Sequence, residues 1–155
     1  RSEERKESTI AREAYFLEYA QDIRKAVSLP LMVTGGFRTK AGIEDALQSN
    51  ICQMVGIGRP LCADPYCIKK MIAGEIETLP SFEKTLSLGP SIFSPSSPFT
   101  IIKVINAFGA MAWFYQQIKN MAKGLMPNHD QKLFNAFRAD MKEDKLAIKD
   151  YLNNN

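Results

Sequence analysis

Apolar residues in this chain form two short continuous runs that are flanked by stretches of helical periodicity. The first run is Leu31-Met32-Val33-Thr34 and the second extends from Cys52 to Ile57, and each run leads into a glycine turn. Continuous apolar runs of this length are typical of strands buried on both faces of a parallel α/β sheet. The pattern therefore predicts two neighbouring parallel strands with one helix between them, because a parallel pair needs a crossover.

Helical periodicity and capping residues predict three helices around these strands. The first, from about Ile10 to Val27, would present Phe16, Ala20, Ile23 and Val27 on one face, after a charged and frayed segment over residues 1 to 9. The second runs from Lys40 to about Gln48, with Thr39 as its N-cap, Ile43, Ala46 and Leu47 facing inward, and Asn50 in the left-handed position after its end. The third begins at Asp64-Pro65, as N-cap and first position, and ends near Gly74.

The second half of the chain has a different pattern. Residues 79–98 are rich in serine, proline and glycine, which predicts an irregular connection. A long apolar segment then runs from Phe99 to Ile118, but Lys103 and Asn106 interrupt it, so it falls short of the about 20 apolar residues that span a bilayer. We predict a packed helix here, followed by an amphipathic helix from Leu133 and a disordered tail over residues 151–155.

Composition places the chain among ordinary globular proteins. It has 155 residues, of which 45% are hydrophobic and 24% charged, with a net charge of +3. The charges alternate in sign, which indicates a solvated surface and no nucleic-acid partner. Three cysteines without CxxC spacing and a single histidine favour neither a disulfide framework nor a zinc site, and we interpret Cys62 and Cys67 as structural thiols.

No targeting signal is visible in the sequence. The chain starts Arg-Ser-Glu-Glu, with no secretory or transit pattern and no initiator methionine. We therefore expect a cytoplasmic protein without a membrane partner, and an N-terminus that is an internal point of a longer protein.

The candidate chemistry lies in the two glycine turns. Recognition of a phosphate by backbone N–H groups needs residues without a blocking side chain, and Gly35, Gly36 and Gly58 meet that need at the ends of two adjacent strands. Arg38 and Arg59 would add positive charge. The alternative is that these glycines serve only the tight strand-to-helix turns, because short glycine motifs often match by accident.

This part of the chain resembles the flavin-dependent ene-reductases of the old yellow enzyme family. Residues 31–38 resemble the seventh barrel strand and turn of that family, and residues 55–61 with Asp64-Pro65 resemble the eighth. The helix near residues 14–18 looks like the one before the seventh strand, and residues 112–117 with Gly124 look like a C-terminal extension of one subgroup. The resemblance covers about residues 12 to 127, and two strand-turn units in the right order are more specific than either alone.

The resemblance implies a fold and a cofactor. The fold would be the C-terminal portion of a TIM (β/α)8 barrel, namely strands seven and eight with flanking helices, plus a helical C-terminal extension. Its domains would be a partial barrel over residues 1–78, the connection over residues 79–98, the extension over residues 99–150 and the tail. The phosphate of FMN would be held by Gly35, Gly36, Phe37, Arg38, Gly58 and Arg59.

The family's activity is the reduction of carbonyl-conjugated alkenes, with NAD(P)H as the reductant. About six barrel strands and the family's catalytic histidine and tyrosine positions have no match here, so we assign no catalytic residue and expect the chain alone to be inactive. His129 is interpreted as a surface-loop residue.

Two other readings of the sequence stay open. The chain is alternatively a non-catalytic interaction module that self-associates through exposed sheet edges. It is otherwise part of a different phosphate-binding TIM-barrel enzyme that acts on a small-molecule substrate.

Overall fold

The computed structural model describes residues 15–154, and the chain divides into two compact units, residues 1–80 and residues 81–155. The charged segment predicted to be frayed and the predicted start of the first helix, up to residue 14, lie outside the described residues.

The first unit contains short strands and helices in alternation. In chain order they are helix α1 over residues 15–26, strand β1 at Met32–Thr34, helix α2 at Lys40–Gln48, strand β2 at Met54–Gly56, helix α3 at Arg59–Ala63 and helix α4 at Cys67–Ile72. Thr39 caps α2 as predicted, because its hydroxyl oxygen accepts a hydrogen bond from the N–H of Gly42 at 3.1 Å. Asn50 takes the predicted left-handed conformation, with φ of 57°. The α/β class is thereby confirmed, whereas the TIM barrel stays a prediction.

The two strands form a parallel sheet that is covered on one face. Met32 lies opposite Met54, Val33 opposite Val55 and Thr34 opposite Gly56. Val33 is 8% exposed, but Met32 and Met54 are 61% and 60% exposed. Successive side chains of a strand point to opposite faces of the sheet, so buried and exposed residues alternate along β1. The prediction that both faces are buried is wrong within the described residues.

The hydrophobic core of the first unit lies between this sheet and its helices. One cluster is formed by Ala20, Val33, Phe37, Ala46 and Cys52, with Ile43 packed against it, and a second is formed by Cys67, Met71 and Leu79. Ala20 is the one residue of the predicted apolar face of α1 that is fully buried, and Leu47, predicted to face inward, is exposed.

The start of α4 differs from the prediction. The helix begins at Cys67, not at Pro65, and the sequence did not predict the short α3 before it. Asp64 still organises this start, because its carboxylate accepts the N–H of Tyr66 at 2.9 Å and forms an ion pair with Lys70 at 2.6 Å. A side-chain turn of this kind competes with regular capping at aspartate.

The second unit consists of a connection and two long helices. The predicted irregular connection contains two 3-10 turns, at Phe82–Lys84 and Ser91–Phe93. Helix α5 covers Thr100–Ala122 and is followed by Gly124, whose φ is 75°. Helix α6 covers Leu133–Asn153, so part of the tail predicted to be disordered is helical. Within the described residues, neither helix nor any other is apolar enough over a sufficient length to cross a membrane.

One face of α5 packs against α6 and anchors the loops around it. Trp113 is fully buried and donates its indole N–H to the carbonyl of Gln131 at 2.9 Å. Asn106, which the sequence showed only as an interruption of the apolar segment, accepts the N–H of Leu88 at 2.9 Å and donates to the carbonyl of Phe93 at 3.0 Å. The polar residues on this face therefore attach the connection and the α5–α6 loop to the helix.

Candidate functional site

The parallel register brings the two glycine turns to the same edge of the sheet. Thr34 and Gly56, the last residues of β1 and β2, lie opposite each other. The Gly35-Gly36 turn and Gly58 therefore follow the carboxyl ends of adjacent strands, which in a sheet lie about 4.8 Å apart. The sequence predicted this juxtaposition from the crossover.

The first turn requires glycine for its own geometry. Gly35 and Gly36 have φ of 127° and 77°, which residues with a side chain rarely adopt. A Cβ on Gly35 would also lie 2.9 Å from two ring atoms of Phe16 on α1. Gly35 thus serves close packing as well as the turn.

The second turn is open. A Cβ on Gly58 would meet no atom within 4 Å, and the φ of Gly58 is −106°, so neither packing nor a positive φ explains this glycine. The adjacent Arg59 is exposed at the start of α3. The backbone of this turn is therefore accessible to a molecule that approaches the sheet edge.

Two of the predicted cofactor residues have side chains in the interior. Phe37 is 3% exposed and belongs to the core cluster with Val33. Arg38 is 7% exposed, and its Nη1 donates to the carbonyl of Pro80 at 3.0 Å. The sequence contained no signal for this contact, because the partners are 42 positions apart.

Residues 77–80, which follow α4 in the chain, hold the first turn in place. The N–H of Leu79 donates to the carbonyl of Arg38 at 2.7 Å, and the N–H of Lys40 donates to the carbonyl of Glu77 at 2.9 Å. Thr39 and Thr78 form an isolated antiparallel bridge between these two bonds. The turn after β1 is therefore positioned by a segment that lies beyond α4.

The cysteines lie in protected surroundings. Cys52 and Cys67 are buried and Cys62 is half-buried. Burial raises the pKa of all three thiols, and the charge of Asp64 raises that of Cys67 further. Raised thiol pKa values disfavour the reactive thiolate and support a structural interpretation.

Within residues 15–154, histidine and acidic residues do not form a second candidate site. His129 is exposed in the second unit, and its ring lies 4.4 Å from that of Phe82. Among the described residues no group of three or more histidine, cysteine or acidic side chains is arranged to hold a metal ion.

Comparison with known proteins identifies relatives by sequence. No family model matches the chain. No solved structure matches it. Over 116 residues the chain is 29% identical to an NADH-dependent flavin oxidoreductase of Talaromyces variabilis, which covers 72% of this chain and 27% of that protein.

Two further relatives match shorter stretches at higher identity. An NADH-dependent flavin oxidoreductase of Hypocrea jecorina is 41% identical over 61 residues, which is 39% of this chain and 15% of that protein. A bilirubin reductase of Mediterraneibacter gnavus is 38% identical over 61 residues, which is 39% of this chain and 10% of that protein. The chain therefore spans less than a third of the length of these curated relatives.

These relatives confirm the predicted resemblance. Over part of its length the chain is similar to NADH-dependent flavin oxidoreductases, which fits a partial member of an old yellow enzyme-like family.

Proposed function

We propose that this chain is the flavin-phosphate-binding part of an FMN-dependent NAD(P)H oxidoreductase. The observation that carries the proposal is the parallel register of β1 and β2, with Gly36 and the open Gly58 after their carboxyl ends. Parallel α/β proteins bind ligands outside the carboxyl ends of their strands, and TIM barrels commonly hold phosphate after strands seven and eight. The relatives named as NADH-dependent flavin oxidoreductases support a flavin cofactor and NADH as the reductant.

The residues of the two turns fit a phosphate group, but Arg38 takes a supporting role and does not contact the phosphate. Backbone N–H groups of Gly36, Gly58 and Arg59 would face the phosphate, because bare backbone and open space are found together at the second turn. Arg59, which is an exposed residue, would supply the positive charge. Arg38, whose side chain bonds to Pro80, would support the shape of the first turn.

When bound, FMN supplies hydride transfer from a reduced nicotinamide to an alkene conjugated with a carbonyl group, the chemistry implied by the resemblance. The residues of this chain hold the phosphate end and thereby position the cofactor. We place the groups that grip the substrate and donate the proton outside this chain.

The proposal predicts that the chain discriminates FMN from riboflavin, which differs by the phosphate. We expect FMN to bind about 10-fold or more tightly, because a phosphate gains charge-assisted hydrogen bonds from the turns. Titration of the purified chain, followed by flavin fluorescence, measures both affinities. Equal affinity for the two flavins would contradict the phosphate cradle.

Variants with matched controls localise the effect. Gly58→Val and Arg59→Met should each remove most of the preference for FMN, since the first fills the open turn and the second removes the charge. Lys69→Met removes a cation on α4 that is also exposed and should leave the preference unchanged. A loss of preference in the Lys69 variant would indicate non-specific attraction of the anion.

The chain alone should not reduce an activated alkene. With NADH, FMN and a simple enone, we expect the rate of product formation to equal that of free flavin, because catalytic groups of a barrel enzyme come from several strands. Gas chromatography of the reduced ketone gives the rate. Turnover well above the free-flavin rate would place catalytic groups within these residues.

A second candidate function is supported by the uncovered face of the sheet. Met32 and Met54 are exposed side by side on it, and an apolar groove of about 570 Å³ lies beside β2, lined in part by Leu47, Ile57 and Ile72. If the chain is an interaction module, a strand or helix of another polypeptide would bind in this groove. Such a module predicts that Met54→Glu weakens association of the chain, which sedimentation would detect.

A further inference from the structure

Thr34 and Gly56 form a cross-strand pair at the carboxyl end of the sheet, where they lie opposite each other. The three atoms nearest to a Cβ on Gly56 would all belong to the side chain of Thr34. Its Cβ and Cγ2 would lie at 3.1 and 3.2 Å, and its hydroxyl oxygen would be closer than either. Gly56 is therefore explained by Thr34, because any side chain at position 56 would displace the hydroxyl.

This pair lies on the face of the sheet that the helices leave uncovered. Met32 and Met54, two residues earlier in β1 and β2, point to the same face and are more than half exposed. Thr34 is also exposed. Within residues 15–154 its hydroxyl forms no hydrogen bond. The hydroxyl is thus held in one place by packing against Gly56 and is accessible to a ligand on this face.

The hydroxyl lies directly before the two glycine turns in the chain. Gly35 follows Thr34, and Gly58 is two residues beyond Gly56. Since a strand rises about 3.3 Å per residue, the hydroxyl is within about 7 Å of either turn along the sheet. A ligand whose phosphate is bound at the turns would place the group next to that phosphate over Thr34 and Gly56.

The chemistry of a hydroxyl identifies which group of the ligand it suits. A threonine hydroxyl both donates and accepts hydrogen bonds, whereas a phosphate dianion only accepts them. Its best partner is therefore a group that also does both, such as another hydroxyl. In FMN the phosphate is attached to the ribityl chain, whose carbons carry hydroxyl groups.

We propose that the hydroxyl of Thr34 binds a hydroxyl group of the flavin's ribityl chain. This inference rests on the proposed function, because the phosphate at the glycine turns is what brings the ribityl chain to Thr34. Gly56 acts through Thr34, since its missing side chain gives the threonine hydroxyl its position and leaves the uncovered face open beside it.

Three flavins that differ in single steps provide the test. Lumiflavin carries a methyl group where riboflavin carries the ribityl chain, and FMN adds the phosphate. Fluorescence titration of the whole chain with each flavin gives three affinities. The ratio of riboflavin to lumiflavin affinity reports the ribityl contact, and the ratio of FMN to riboflavin affinity reports the phosphate cradle.

Thr34→Val is the decisive variant, because it removes the hydroxyl and keeps the shape of the side chain. We expect it to weaken the binding of riboflavin and of FMN by about 5-fold each, the effect of one hydrogen bond. Its affinity for lumiflavin should stay unchanged, and so should its preference for FMN over riboflavin.

Three further variants control the result. Thr34→Ser keeps the hydroxyl and should retain most of the affinity for riboflavin. Gly56→Ala should reproduce the loss, because its Cβ would displace the hydroxyl of Thr34. Thr100→Val removes an exposed threonine at the start of α5 and should have no effect. Circular dichroism checks that each variant keeps its secondary structure.

The outcomes separate this inference from the proposed function. Unchanged riboflavin affinity in the Thr34→Val variant would overturn the inference, and so would an equal loss of lumiflavin affinity. A loss for FMN alone would move the hydroxyl to the phosphate and would overturn it as well. Equal binding of FMN and riboflavin by the unaltered chain would instead overturn the phosphate cradle, and an unaltered chain that binds none of the three flavins would overturn both.

Discussion

Replacing Trp113 with alanine is expected to lower the free energy of unfolding of the second unit by about 3–5 kcal/mol. The indole is fully buried, is stacked on Phe82 at a ring distance of 5.6 Å and meets Phe114 edge-on at 5.2 Å. Truncation removes these contacts, leaves a cavity and leaves the carbonyl of Gln131 without its indole donor. It therefore removes one of the contacts between α5 and the loop that leads into α6, others being the hydrogen bonds of Gln117 to Asn128 and Gln131.

Urea denaturation followed by far-ultraviolet circular dichroism measures this loss. Tryptophan fluorescence cannot be used, because the variant lacks the chain's one tryptophan. Phe134→Ala is the matched control, because Phe134 is a large aromatic residue of α6 that is 48% exposed, and it should cost about 1 kcal/mol or less. Trp113→Phe should be intermediate, since it keeps a ring and loses the donor. Equal losses in the Trp113→Ala and Phe134→Ala variants would show that the buried aromatic cluster does not hold the unit together.

Replacing Arg38 with methionine is expected to destabilise the first unit by about 3 kcal/mol, because the carbonyl of Pro80 loses a charged, buried donor. This loss corresponds to about a 100-fold increase in the opening equilibrium. Hydrogen exchange of amides in β1 and β2, resolved by mass spectrometry, reports the first unit separately from the second.

The second arginine of the predicted cradle provides the control. Arg59 is exposed, so Arg59→Met should change the free energy of unfolding by about 0.5 kcal/mol or less while it reduces the preference for FMN. The two arginines would thus separate stability from phosphate binding. Unchanged hydrogen exchange in the Arg38→Met variant would contradict the stabilising role of the bond to Pro80.

Local signals in the sequence were sufficient for the elements near the glycine turns. Thr39 as a cap and Asn50 as a left-handed residue follow from the chemistry of single residues, so both predictions are confirmed. The predicted start of α4 was two residues too early. Asp64 has more than one local partner, and the sequence does not show whether its carboxylate caps a helix at Pro65 or bonds to Tyr66 and Lys70.

The sequence pattern did not predict contacts between residues that are far apart in the chain. Arg38 follows a glycine turn and was predicted to bind phosphate, and the sequence did not show its bond to the carbonyl of Pro80, which lies 42 positions further along the chain. Trp113, Phe114 and Tyr115 are consecutive aromatic residues, and the pattern does not show which one is buried. The segments that fold onto α5 decide it, because Trp113 is fully buried against Phe82 and the carbonyl of Gln131, whereas Tyr115 is exposed.

By itself the sequence determined the order of strand, helix and strand, the two glycine turns at the strand ends and the likeness to flavin oxidoreductases. These features depend on residue types and on neighbours within a few positions. Tertiary structure alone decided that Gly58 stays open while Gly35 is packed, and that Arg38 points into the unit while Arg59 is exposed. The physical reason is that burial depends on which distant segments meet, and a turn motif reads the same whether its side chains face a core or a ligand.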